Sequence, residues 1–313
     1  MKVKSKYAIM IVFIVVFFAL NLYANINDNK ITFIMGQDRE SIKEYIKDVD
    51  IIPAGFMVYN SIQQMEGLDV SAKIGSCYQD FSFLVQNYPD AIIQMGLYMV
   101  GALDDVLEGY YDGNINKLIT WVKEKNNPIY LRIGYEFDLP CNNYDFQSYK
   151  KAFRYIVDKF REQKVYNIEF VWHSFAARCT KNIEHWYPGD EYVDWCAISY
   201  FDNSQLFMKS MLKFAAKHNK PLMIAEAAPK GYRIKQDDDV WDKWFKPFFE
   251  FIYANDIKFV SYINTNWDKD PMWQGQNWGD SRVQTNHLVK QKWINEMLNG
   301  KFDHYYQYSF QDK

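Results

Sequence analysis

Ile129-Tyr130-Leu131-Arg132-Ile133-Gly134-Tyr135-Glu136-Phe137 is an apolar, β-rich run that closes on a glycine, a tyrosine, a glutamate and a phenylalanine. Residues Asp145–Gln163 follow, with Tyr149, Phe153, Ile156, Val157 and Phe160 at helical spacing, and Ile168–Ala176 then returns to a β-rich run. Strand, amphipathic helix, strand is the pattern of a parallel βα unit. The runs are apolar on both alternating faces, which is how strands covered on both sides of a parallel sheet read.

The same alternation extends both ways along the chain. Further β-rich runs are Ile31–Asp38, Ile51–Tyr59, Ala91–Val100, Val193–Phe201, Pro221–Ala228 and Ile257–Asn266. Helical patterns occupy 114–125, 204–218, 240–254 and 286–298. Eight strand–helix units without a linker, a composition shift or an internal repeat predict a single α/β domain, a (β/α)8 TIM barrel over residues 25–300. The competing open, doubly wound sheet usually carries a glycine-rich phosphate loop after its first strand. Here that strand ends Met35-Gly36-Gln37-Asp38, with neither GxGxxG nor GxxxxGK[ST].

The ends of the chain read differently. Lys2, Lys4 and Lys6 precede the apolar run Ala8–Leu20, and Ala24 precedes a polar start, so residues 1–24 read as a secretory leader or an uncleaved anchor. Export to the periplasm, the cell surface or the medium is the expectation. Residues 301–313 read as a polar tail. Without the three leader lysines the formal net charge goes from −3 to −6, an acidity that argues against nucleic acid or an anionic membrane as partner. A monomer is expected. Aromatic residues make up 18% of the chain, enough to line a sugar cleft as well as fill a core.

In a barrel of this kind the chemistry sits at the C-terminal ends of the strands. The fourth strand ends in Glu136 and the seventh, Met223-Ile224-Ala225-Glu226, in Glu226. A carboxylate closing an apolar run is costly to desolvate unless it has a task or a partner. Two carboxylates across a barrel mouth are what glycosidic bond cleavage needs, one protonated towards the leaving oxygen and one facing the anomeric carbon. Arg132 alternates onto the face of Glu136, so it is expected to point inward and stabilise a carboxylate. No HExxH motif, nucleophile elbow or phosphate loop offers another chemistry, and the five histidines are scattered, so no metal or cofactor is expected.

The chain resembles the clan of glycoside hydrolases with catalytic glutamates on strands four and seven, and within it family 26, which includes β-mannanases. The resemblance rests on Gly36-Gln37, on Arg132 four residues before Glu136, and on Trp186-Tyr187-Pro188-Gly189-Asp190-Glu191-Tyr192-Val193-Asp194 leading into strand six. It also rests on Ile198-Ser199-Tyr200-Phe201-Asp202 and Asn264-Thr265-Asn266-Trp267-Asp268 at the ends of strands six and eight. It implies that Glu136 is the acid/base and Glu226 the nucleophile of a retaining, endo-acting enzyme on a β-linked polysaccharide, mannan or a related glycan. It further implies that Tyr200 hydrogen-bonds the nucleophile and that Trp267 is an apolar platform under the sugar. Asp38, Trp172 and His173, at the ends of strands one and five, are further candidates for substrate contact. One position departs from the pattern. The residue before the acid/base is usually His in the family and Asn in much of the clan, and here it is Tyr135. That departure bears on sugar specificity, and it leaves a non-catalytic glycan-binding barrel as the alternative function.

Four cysteines are present, at 77, 141, 179 and 196. Cys196 sits in an apolar strand as a buried thiol. Cys141 and Cys179 follow strands four and five, whose loops emerge side by side, and in an exported protein they are expected to form a disulfide.

Overall fold

A computed structural model of the protein describes residues 30–176, 182–202 and 205–305. Strands β1 (Ile31–Gly36) and β2 (Gly55–Ser61) open the sheet, and a small antiparallel hairpin, β3 (Ala72–Ile74) with β4 (Cys77–Gln79), stands outside it. The sheet continues through β5 (Ile92–Tyr98), β6 (Ile129–Ile133), β7 (Ile168–Ser174), β8 (Trp195–Tyr200), β9 (Leu222–Ala227) and β10 (Phe259–Ile263). Each strand pairs in parallel with the next, and β10 pairs back onto β1 from Thr32↔Phe259 to Gly36↔Ile263. The result is a closed, eight-stranded parallel barrel, the expected (β/α)8 architecture.

The surrounding helices are α1 (Arg39–Val49), α2 (Phe81–Asn87), α3 (Leu103–Leu107), α4 (Asp112–Glu124), α5 (Phe146–Glu162), α6 (Gln205–Lys217), α7 (Lys246–Ala254) and α8 (His287–Met297). The long ones begin where the sequence pattern places them. Asp145, for example, caps α5 by accepting from the amides of Gln147 and Ser148. Between β7 and β8 the described residues hold only a 3-10 turn, Ile183–Trp186.

Two apolar layers explain why the strands read as continuous hydrophobic runs. Ile34, Met57, Val171, Ala197, Met223 and Phe259 fill the barrel interior. Their neighbours Phe33, Phe56, Trp172, Ile198, Ile224 and Val260 face the helices. Period-two alternation therefore sorts side chains between two cores rather than between core and water.

The expected polar tail begins inside the fold. Phe302 and Asp303 form β11, which pairs in parallel with Ile31 and Thr32 below the point where β2 takes over. Phe302 is buried against Phe33 and Phe249. The apolar side chain of Phe302 is what holds it there. The expected leader, residues 1–24, lies outside the described residues, and no described helix is long and apolar enough to cross a membrane.

Candidate active site

Glu136 follows β6 through a sharp turn. Gly134 takes φ 54°, a left-handed conformation that glycine adopts at little cost, and Glu136 itself takes φ 54°, which a side chain normally avoids. Asn142 holds the turn by donating to the Glu136 carbonyl at 2.9 Å. Asp138 ties it to β7, accepting from the Ser174 hydroxyl at 2.8 Å and the Phe175 amide at 2.7 Å. A glutamate kept in so unfavourable a backbone state is over-determined by its surroundings, as functional residues often are.

Glu226 reaches the interior by a different device. Alternation along β9 sends Met223 and Ala225 inward and Ile224 outward, so the next residue should face the helices. The register against β8 slips instead, from Ile198↔Ile224 to Ser199↔Glu226, and the register against β10 slips at the same level. Ala225 is the extra residue of a β-bulge, which re-aims the glutamate into the barrel. Gln94 on β5 crosses the interior to donate to the Ala225 carbonyl at 2.9 Å, and Ser261 fixes that amide by donating to its oxygen at 2.9 Å.

The two carboxylates stand in opposite environments. Glu226 is ion-paired with Arg132, whose side chain has no exposed surface. Glu136, 8% exposed, has no cation in its own hydrogen-bond set and accepts from the Ser199 hydroxyl at 2.6 Å. Burial first, and the nearby charge of Glu226 second, hold the Glu136 carboxyl well above the usual glutamate range. His173 lies between, 3.3 Å from Arg132 Nη1 through Nδ1 and 3.0 Å from Ser199 Oγ through Nε2. Burial, with the Arg132 cation beside it, pushes the His173 imidazole well below its ordinary value, so the ring is neutral.

Two aromatic rings pack against the cation. The Arg132 guanidinium lies 5.2 Å from the Tyr59 ring centre and 5.0 Å from that of Tyr135, and the two rings meet edge to face at 5.6 Å. Gly96 makes the space. A Cβ there would come within 2.8 Å of the Tyr59 ring and 2.9 Å of the guanidinium. Burial raises both phenols far above the ordinary tyrosine range, so they stay protonated beside Glu226. Trp267, 5% exposed, belongs to the interior layer and packs on Trp278 at 5.2 Å, which in turn touches Trp273 at 5.7 Å and Phe201 at 4.9 Å. These rings give the β10 side of the mouth an apolar lining.

Glu136, Glu226, Arg132, Tyr135 and His173 are thus brought together, with Trp267 in the same interior layer. Three sequence candidates are placed elsewhere. Tyr200 faces outward, its ring packed at 5.1–5.6 Å on Phe248, Phe251 and Trp244, because Ala197, Ser199 and Phe201 take the inward phase of β8. It does not reach Glu226. Trp172 is likewise outward and fully buried, stacked on Phe137 at 4.7 Å, because His173 holds the inward phase of β7. Asp38 caps α1, one carboxylate oxygen accepting from the amides of Glu40 at 2.9 Å and Ser41 at 3.1 Å. The expected disulfide falls partly outside the described residues. Cys141 is an exposed free thiol on the 3-10 turn Pro140–Asn142, and Cys179 lies outside the described residues.

Ser199, Tyr59, Gln94 and Asp138 were not singled out from the sequence. Ser199 had a signal, a lone hydroxyl in the inward phase of an otherwise apolar strand; Tyr59 and Gln94 had the same kind. Among the described residues, no three His, Cys, Asp or Glu side chains gather as a metal site.

Comparison with known proteins places this geometry. Residues 134–266 match the family model described as Glycosyl hydrolase family 26. The β-1,3-xylanase TXYA of a Vibrio species is 33% identical over 304 residues, covering 88% of this chain and 66% of that protein. A β-1,3-xylanase of an Alcaligenes species is 32% identical over 297 residues, covering 86% of this chain and 63% of that protein. The chain therefore spans about two thirds of the length of these curated relatives. Among solved structures, a family 26 β-mannanase from Bacteroides ovatus superposes with a TM-score of 0.64 over 90% of this chain and 92% of that one. At 14% identity that likeness concerns the fold.

Proposed function

Because the chain belongs to glycosyl hydrolase family 26, we propose that it cleaves a β-linked polysaccharide from within, with retention of anomeric configuration, and that the polysaccharide is β-1,3-xylan. The observation that carries the reading is the contrast between two buried carboxylates, Glu226 ion-paired with Arg132 and Glu136 held neutral by burial. A carboxylate paired with a cation is suited to attack, and a carboxyl kept protonated by burial is suited to donate.

In the first step Glu136 gives its proton to the glycosidic oxygen while Glu226 attacks the anomeric carbon. The bond to the leaving sugar breaks and an ester to Glu226 forms. The ion pair with Arg132 holds Glu226 in place until that moment. Forming the ester removes the Glu226 charge, which after burial is the larger of the causes raising the Glu136 carboxyl. Glu136, now a carboxylate, becomes the better base and takes a proton from the water that hydrolyses the ester.

The substrate assignment rests on the relatives. The two named as β-1,3-xylanases share 33% and 32% identity with this chain, whereas the family's mannanase structures share 12–15%. Tyr135, in the position where the family usually has His, supports a sugar other than mannose beside the cleaved bond. The lysine-flanked apolar run at residues 8–20 supports export, where such a polymer is met.

Reducing-end release from purified β-1,3-xylan, β-mannan and mixed-linkage β-glucan tests the assignment. We expect β-1,3-xylan to be hydrolysed fastest and Glu226→Ala to abolish turnover. A chain that retains oligosaccharide but releases no reducing ends from any of them is the glycan-binding barrel instead.

A further inference from the structure

The contacts between the two glutamates have a direction. Arginine only donates, so the 3.3 Å contact makes His173 Nδ1 an acceptor and leaves the ring hydrogen on Nε2. Nε2 then donates to Ser199 Oγ at 3.0 Å. With Oγ already accepting, the serine's own hydrogen goes to Glu136 Oε1 at 2.6 Å. Every member is buried, and Glu226 anchors the chain by its ion pair with Arg132.

We propose that His173 and Ser199 are positioning residues that keep the acid proton of Glu136 on Oε2, the oxygen left free for the leaving group. Oε1 is committed as an acceptor. The reverse arrangement would put the carboxyl proton on Oε1, donated into Ser199 and lost to the reaction. With Nε2 still donating, Oγ would accept twice and the serine's hydrogen would lose its acceptor in this set; turning that hydrogen to Nε2 instead would set an Nδ1 hydrogen against the Arg132 N–H, two donors facing each other. Arg132, by fixing the tautomer, therefore disfavours it. The cation that holds the nucleophile also sets, through two neutral side chains, which oxygen of the acid is loaded.

The proposal rests on the reading of Glu136 as the acid, and the test separates the two. The probes are phenyl and 2,4-dinitrophenyl β-glycosides of an oligosaccharide that the wild type cleaves, because only the phenyl leaving group needs the proton. Ser199→Ala and His173→Leu should lower kcat/KM on the phenyl glycoside about tenfold to a hundredfold, the worth of a hydrogen bond to a charged or acidic group. On the dinitrophenyl glycoside they should stay within about threefold, and Ser199→Thr, which keeps the hydroxyl, should restore the phenyl activity. Glu136→Ala must show the same discrimination. If it loses both substrates equally, the acid assignment fails. If it discriminates while Ser199→Ala and His173→Leu do not, the positioning proposal fails. Nitrogen-15 NMR of the wild-type imidazole needs no variant: a hydrogen on Nε2 of His173 is expected, and one on Nδ1 overturns the proposal.

Discussion

Arg132 donates to Glu226 from a guanidinium that has no exposed surface and lies against the rings of Tyr59 and Tyr135. The pair is as much a structural commitment as a catalytic one. Replacing the cation by a side chain of similar size, Arg132→Met, leaves a carboxylate buried without its counter-charge. That should cost about 3–5 kcal/mol of folding stability together with most of the turnover. Denaturant unfolding and kcat measured on the same preparation check both, and a fully stable, fully active variant would remove Arg132 from the account.

The raised Glu136 carboxyl links pH to stability with a definite sign. A carboxyl whose folded value lies above its unfolded one binds its proton more readily in the native state. Its contribution is complete below the ordinary glutamate range and is lost as pH rises through the folded value. Glu136→Gln, which is neutral throughout, should therefore raise the melting temperature at neutral and mildly alkaline pH. The gain is about 1.4 kcal/mol for each unit by which the wild-type carboxyl is raised. Near pH 4 the advantage should vanish. Activity of the wild type should fall on the alkaline side as the acid loses its proton, and Glu226→Gln, which removes a like charge, should lower the Glu136 titration seen by carbon-13 NMR.

How much of this was legible beforehand depends on phase. The barrel and both glutamates could be read, because eight apolar runs alternate with helical patterns and each glutamate closes a run. Arg132 was readable by alternation from Glu136. What alternation could not supply is the inward aim of Glu226, since a period of two counted from Met223 and Ala225 sends it outward; only the bulge at Ala225 reverses that. Tyr200 and Trp172 misled for a related reason. They are the conspicuous residues at their strand ends, but Ser199 and His173 beside them hold the inward phase. In a barrel with apolar layers on both faces, size and aromaticity do not tell the two layers apart.

The bulge gives its own prediction. Gln94 satisfies the Ala225 carbonyl across the barrel, and Ser261 holds the amide in place. Gln94→Leu leaves that carbonyl without its donor, at a cost of about 1–3 kcal/mol. It also frees the segment that aims Glu226. The expected kinetic signature is a fall in kcat with KM nearly unchanged. A loss confined to stability, with kcat intact, would make the bracing purely structural.

Tyr200 gives the opposite forecast. Its ring packs in the outer layer on Trp244, Phe248 and Phe251, so Tyr200→Phe should retain kcat within about twofold, since the packing volume is kept. Tyr200→Ala should lower stability by about 3–5 kcal/mol through the cavity it leaves. A large fall in kcat for the phenylalanine variant would instead return Tyr200 to the nucleophile.

The central claim is that Glu226 forms a covalent bond to the sugar while Glu136 handles the proton. An activated 2-deoxy-2-fluoro glycoside of the cleaved oligosaccharide slows breakdown of such an intermediate and allows it to be trapped, and peptide mass spectrometry then locates the adduct. The account predicts one added glycosyl mass on the peptide carrying Glu226, none in Glu226→Ala, and retained configuration in the first-formed product by proton NMR. An adduct on Glu136, or an inverted product with no adduct at all, would contradict it.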